Sequence, residues 1–377
     1  MSDRPTGSNP ERRARLLGLQ LHAVVREHLA TAGADGPELV SGPFALGAAL
    51  RAGDDTWVLL DGAAEDGRGL GPALLHASRT GAGAVNVVTT EGSGQGAGVM
   101  ARRATAFAFG VTVWQLDGRT LRRAQPAPVE PPRAPKPAHL AHASDIEAAG
   151  AAVVVEHGVV AGEVRGLEVC RVVDVEGDVD VNLGIDGSAA SGPAAVPATR
   201  LDVGVGVQDR EAFAVIHAGV PTADALAKVV SAVAAVRTVD VPAHPLNRLA
   251  PERFVRWRLE QEPWLVGMAT VRPATPPVPR RNLKDRAACT LRGQRIDGGE
   301  VVIVCSVGVD LDVIPYAADA RLGAEVEPGV GSAGVGGGPD TPIETIVVMP
   351  ARDLVRATRE LADLLRQPLS LLALPAT

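Results

Sequence analysis

Aromatic side chains are scarce in this chain: five Phe, four Trp and one Tyr among 377 residues. A core built from it must be filled mostly by Val, Leu, Ile and Ala. Lysine is nearly absent, at positions 136, 228 and 284 only, so almost every cation is Arg. A GC-rich genome produces that usage together with abundant Ala, Gly and Val. Three cysteines, Cys170, Cys289 and Cys305, are odd in number and far apart. That excludes a disulfide scaffold, offers no CxxC or Cys/His zinc spacing, and fits a reducing compartment. No apolar run is long enough to span a bilayer, the most apolar being 229–236. The N-terminal stretch has charges but no apolar segment followed by a small-residue cleavage site. The expectation is a soluble, cytoplasmic protein. HExxH, GxSxG and GxxxxGK[ST] are also missing, which leaves a zincin, a serine hydrolase and a P-loop NTPase unsupported.

What is abundant is Gly (42) and Pro (29), set against ordinary apolar and charged fractions of 46% and 21%. The ordinary fractions exclude wholesale disorder, and the lack of a period excludes collagen. The excess marks boundaries instead. Six of the twelve residues 126–137 are proline, which neither continues a helix nor donates to a strand ladder. This stretch reads as a stiff linker spanning 126–139. A second proline-rich connector covers 272–279, and residues 328–339 (PGVGSAGVGGGP) read as a flexible loop. No internal repeat at a fixed period is visible.

Before the linker, residues 1–10 read as disordered. Helical spacing of Leu16, Leu17, Leu19, Leu21, Val24, Val25 and Leu29 predicts a helix over 11–31. Strands at 56–60, 84–89 and 111–116 alternate with helices at 71–79 and 98–107, so 11–125 reads as a small layered α/β domain with parallel pairing. After the linker, 140–377 reads as one larger mixed α/β domain. A short helix near 143–149 precedes strands at 151–156, 167–173, 179–185 and 201–207. Helices follow at 209, at 222–237 and at 251–261. Strands at 301–307, 344–349 and 369–374 and a helix at 353–366 close the chain, and the apolar stretch after 307 continues to Tyr316.

Four places have residue types suited to chemistry. In LDVGVGVQDRE, Asp209, Arg210 and Glu211 stand where a strand meets a helix start. The two carboxylates oppose a phosphate there, which rejects a dinucleotide fold. They suit either helix capping or a metal or general base. In CSVGVDLDVIPYAADAR, Asp310 and Asp312 share one face if the segment is a strand, and Asp319 and Arg321 follow as an acidic-x-basic triplet. Glu163-Val164-Arg165 is a second such triplet, beside Glu156, Glu168 and Arg171. A basic stretch comprises Arg253, Arg256 and Arg258 around Trp257, then Arg280, Arg281, Lys284, Arg286, Arg292 and Arg295. It is the one local positive feature in a chain of net charge −7, a balance that disfavours broad nucleic-acid binding. His244, beside Pro245, Asn247 and Arg248, is the most site-like histidine. For each place, the alternative is a solvated, ion-paired or capping residue.

LDVGVGVQDREAF, HPLNRLAPERFVR and CSVGVDLDVIPYAADARL resemble segments of an uncharacterised protein family from high-GC Gram-positive bacteria. That resemblance implies compartment and class but no mechanism. Separately, the order helix, strands, helix over 143–237 and the acidic-x-Arg triplets resemble PD-(D/E)xK nucleases, with Arg where lysine is usual. The resemblance implies a nuclease-like scaffold. On it Asp310, Asp312, Asp319 and Arg321 would be catalytic, and Mg²⁺ would be required only if the chain is a nuclease. The leading expectation is a nucleic-acid-associated protein, with catalysis left open. One alternative is an enzyme or binding protein for a small phosphorylated or anionic ligand at Asp209, Arg210, Glu211, His244, Arg280, Arg281 and Lys284. The other is a structural module whose first domain docks a partner.

Overall fold

The computed structural model of the chain describes residues 10–31, 36–62, 67–90, 94–175, 199–206, 209–211, 222–238, 244–279, 287–326 and 343–375. It is a mixed α and β protein with three sheets. Two compact units are formed, residues 1–131 with 265–270 and 292–376, and residues 132–264 with 271–291. One division falls inside the proline-rich stretch. The other differs from the sequence expectation, because the C-terminal third clusters with the first unit rather than extending the second.

The first unit opens with α1 (Pro10–Thr31), then β1 (Leu39–Gly42), β2 (Gly47–Ala52), β3 (Asp55–Leu60), α2 (Leu70–Arg79), β4 (Ala84–Thr89), α3 (Gly94–Ala104), β5 (Gly110–Asp117) and β6 (Thr120–Arg123). These strands make one six-stranded sheet in sequence order. β3, β4 and β5 are parallel, while β2 and β6 run antiparallel to their neighbours. The parallel strands TWVLL and VNVV are buried nearly throughout, as strands covered on both faces must be. α1 packs Leu21, Val24 and Val25 against Leu50, Trp57 and Leu59. Trp57 and Trp114 stack there with ring centroids 5.9 Å apart, and the Trp114 Nε1 donates to Asn86 Oδ1 at 2.9 Å.

The C-terminal part adds β13 (Glu300–Cys305), α9 (Val313–Val326), β14 (Glu344–Pro350), α10 (Arg356–Ala362) and β15 (Ser370–Leu374). β13, β14 and β15 are again parallel. They belong to a five-stranded sheet that begins with β11 (Thr270–Ala274) and β12 (Cys289–Gln294), the two strands through which the division between units passes. Strand, helix, strand, helix, strand is therefore laid down twice in the first unit, although no fixed-period repeat is legible in the sequence. α2 corresponds to α9 and α3 to α10. α3 packs on α9 and α2 on α10, as two copies about a local two-fold would. Phe107 and Leu365 form an antiparallel bridge at the join, where Ala108 N donates to Leu364 O and Arg366 N to Ala106 O, both at 2.9 Å.

The second unit has the short helices α4 (Pro137–Leu140) and α5 (Ala143–Ala148), then β7 (Ala152–Glu156), β8 (Val159–Val164), β9 (Leu167–Asp174) and β10 (Thr199–Val203) as an antiparallel meander. A helix α6, described at 209–211, precedes α7 (Thr222–Val236), whose Leu226, Val230 and Val233 bury against Val169, Val172 and Val203. α8 (Pro251–Gln261) follows a 3₁₀ turn at Pro245–Arg248. The guanidinium of Arg237 is fully buried and donates to the carbonyls of Arg165, Leu246, Leu249 and Ala250, tying the end of α7 to the start of α8. The strand expected at 179–185 and the Gly-rich loop at 328–339 lie outside the described residues.

The three cysteines sit on β9, β12 and β13, buried and in no disulfide. Burial pushes the Cys170 thiol up to about 11. Among the described residues, no helix is long and apolar enough to cross a membrane.

Close approach at the join depends on Gly71 in the first turn of α2. A Cβ there would lie 2.3 Å from the Leu311 carbonyl oxygen. Gly→Ala in an exposed helix ordinarily gains about 1 kcal/mol. Gly71→Ala is expected to reverse that sign and cost about 1–3 kcal/mol, read from urea denaturation midpoints.

Candidate functional site

The acids of the 305–321 segment do not share a strand face. Asp310 and Asp312 lie in the turn before α9, and Asp319 and Arg321 lie within that helix. VIPYAADARLGAEV has Ala at four of its fourteen positions and Pro within the first turn, both compatible with a helix, and it is buried on nearly every side. This corrects the reading of the segment as neighbouring strands.

Asp312 Oδ2 and Oδ1 accept the amides of Gly69 and Gly71 at 2.8 and 2.9 Å. The carboxylate thus occupies the place where the positive end of α2 would receive an anion. Burial, and next the charge of Asp310, raise its pKa above the ordinary carboxylate value. Arg68 donates to Asp310 at 2.9 Å. Asp319, about 10 Å further along the helix, faces α3. Arg102 donates to it through Nε (2.7 Å) and Nη2 (3.1 Å), and Arg103 through Nε (3.0 Å). The remaining donors go to carbonyls of Gly67, Ala127 and Pro128. Arg321 is buried and reaches toward the carbonyls of Gln367 and Pro368 at 3.4 and 3.5 Å, and burial lowers its pKa. The structure brings Asp310 and Asp312 together but separates both from Asp319 and Arg321. Among the described residues, no three His, Cys, Asp or Glu side chains are grouped to hold a metal ion.

The basic stretch is not one positive surface over its described part. Arg253 and Arg256, on α8, are buried and clasp Glu156 of β7 and Glu163 of β8, with Arg256 Nη1 3.1 Å from Glu156 and Arg256 Nε 3.2 Å from Glu260. Arg258 pairs with Glu262 at 3.0 Å and Arg295 with Glu344 at 2.6 Å. Arg292 is buried and donates to the Ala324 carbonyl at 2.9 Å. The expectation counted these residues as one local positive surface. Arg253 and Arg256 lie instead on the buried face of α8. Arg280, Arg281, Lys284 and Arg286 lie outside the described residues.

Asp209 accepts the Val205 amide at 2.7 Å, closing the loop behind it. Arg210 donates to Glu168 at 2.9 Å, a carboxylate that Arg171 also holds, and Glu211 is exposed. His244 Nδ1 accepts the Leu246 amide at 3.2 Å and so caps the 3₁₀ turn.

Among the described residues, a cavity lies elsewhere, between α1 and the β1–β2 hairpin. It is a groove of about 760 Å³, with Ala14, Gly18, Leu19 and His22 on the helix side and Phe44 and Gly47 on the hairpin side. Small residues make its floor. Gly47 has φ +152°, and a Cβ there would lie 1.9 Å from the Leu59 carbonyl oxygen, so the hairpin can approach β3 only with glycine. Four of the nine large apolar side chains exposed among the described residues cluster on these elements: Leu16, Leu19, Val40 and Leu46. Sequence reasoning missed the groove, but a signal existed. Leu17, Leu21, Val24, Val25 and Leu29 fill the core-facing stripe of α1, while Leu16 and Leu19 fall off it and are 57% and 61% exposed.

Comparison of the chain with protein families, with curated proteins and with solved structures gave no match.

The Glu156–Glu163–Arg253–Arg256 cluster generates a prediction. Burial opposes the Glu163 charge, but the attraction and hydrogen bonds of Arg256 and Arg253 outweigh it and hold its pKa below the ordinary value. Its contribution to stability is therefore present above the unfolded pKa and lost as pH falls through the folded one. Glu163→Gln leaves two buried guanidiniums short of charge. It is expected to cost about 3–5 kcal/mol at pH 7 and to flatten the acid limb of the stability–pH curve, measured by urea denaturation from pH 3 to 7.

Proposed function

We propose that the protein is a noncatalytic binding module whose first compact unit docks a polypeptide segment in the groove between α1 and the β1–β2 hairpin. The observation that carries this reading is the groove itself, an apolar concavity bordered by exposed Leu19 and neighboured by exposed Leu16, Val40 and Leu46. Isolated exposed leucines need no explanation, whereas a cluster beside a cavity is characteristic of a recognition surface. The noncatalytic part of the reading is supported by the way the candidate acids are held: Asp312 accepts amides of α2 and Asp319 pairs with two arginines.

A second reading keeps the nucleic-acid association. It rests on the order helix, strands, helix over 143–237, which is present as α5, β7 to β10 and, after α6, α7. On this reading the scaffold binds a nucleic acid without cleaving it.

Amide hydrogen exchange on the full chain separates the two. Bound to an apolar peptide, the protein is expected to gain protection at 14–22 and 41–49. A DNA or RNA duplex is expected to give no protection there or elsewhere. Duplex-induced protection of β7 to β10 that weakens with added salt would favour the second reading instead.

A further inference from the structure

Building on the docking reading, we propose that the occupant of the α1 groove is an amphipathic helix with acidic flanks, carried by a partner protein. The backbone at the groove argues first against a strand. β1, the edge of its sheet, is four residues long and is bracketed by Pro37 and Pro43, so few main-chain groups are offered to an added strand. Recognition must then come from side chains entering the groove. The helix-side wall from Ala14 to His22 is about 12 Å long. That matches two turns of an incoming helix, with anchors at i, i+3 or i+4, and i+7. The small floor residues Ala14, Gly18 and Gly47 leave room for bulky anchors between Leu19 and Phe44.

Charge sets the partner's sign. Arg12, Arg13 and Arg15 project from the first turns of α1, and all three are exposed. Arg13 is paired with Asp61, whereas Arg12 and Arg15 face no acid among the described residues. In a chain of net charge −7 this is a local cationic rim beside an apolar groove. It is complementary to glutamates or aspartates flanking an apolar stripe.

The test is selection of a displayed library of helical 15-residue peptides on the full chain, with affinities of the selected peptides measured by fluorescence anisotropy. Two groove variants serve as controls. Leu19→Asp removes an exposed apolar anchor. Gly18→Leu obstructs the groove at a position where an added Cβ meets nothing within 4 Å, so it is expected to fold. The selected peptides are expected to carry the i, i+3/i+4, i+7 apolar pattern with net negative charge, and to lose binding to both groove variants. With Arg12→Glu/Arg15→Glu they are expected to weaken roughly tenfold at low salt, the effect of two rim ion pairs. Selected peptides that are neutral or basic, or indifferent to the charge reversal, would overturn the acidic partner while leaving the docking reading intact. Failure to select any peptide that distinguishes the parent from both groove variants would overturn the docking reading itself. A dimer in solution that Leu19→Asp dissociates would assign the groove to a second copy and also overturn the proposal.

Discussion

A carboxylate that is 1% exposed must be neutralised by the protein that buries it, and Asp319 is neutralised twice over by Arg102 and Arg103. The carbonyls of Gly67, Ala127 and Pro128 accept further N–H groups of the two guanidiniums in place of water. This contact joins α3 of the first βαβαβ half to α9 of the second. The α2–α10 pair, its counterpart across the local two-fold, carries the reversed pattern: Arg79 on α2 meets Glu360 on α10 at 2.8 Å. Because the signs are swapped, each half complements the other rather than itself. Asp312 completes the join by satisfying amides at the start of α2.

That constraint explains why the acids of this segment are poor candidates for chemistry. A general base or metal ligand needs a free lone pair directed at a site. Asp312 has both oxygens on amides, Asp319 has both on guanidiniums, and Asp310 is shared between Arg68 and the Asp312 amide. The proposed docking rests instead on the apolar side chains that α1 and the β1–β2 hairpin leave exposed.

Much of the secondary structure was legible in the sequence, and the misses have physical causes. α1, α2, α7, α8 and the strands TWVLL, AVNVVT and ETIVVM have strong periodicity or continuous β-branched runs. β1, β2 and β6 were not legible. They are four to six residues long, and GAALRA and TLRR lack the alternation that marks a strand. The acidic pair around Asp310 was misplaced because Asp-x-Asp reads equally as one strand face or as a turn before a helix. Only the tertiary partners Gly69 and Gly71, some 240 residues earlier, decide between them. The return of the C-terminal third to the first unit was hidden for a related reason. Local pattern is silent about which distant helices pack together, and here the halves share element order without a fixed sequence period. The basic stretch was recognised as a cluster, but burial of Arg253 and Arg256 depends on Glu156 and Glu163 across the unit.

The central claim is that the candidate acids are structural, with Asp319 bonding the two halves of the first unit. A double-mutant cycle tests it most directly, using Arg102→Gln, Asp319→Asn and the double variant in equilibrium urea denaturation. The account predicts a coupling free energy of about 2 kcal/mol between the two positions, the double variant being destabilised by about that much less than the sum of the two single variants. Additive effects, with a coupling near zero, would contradict it.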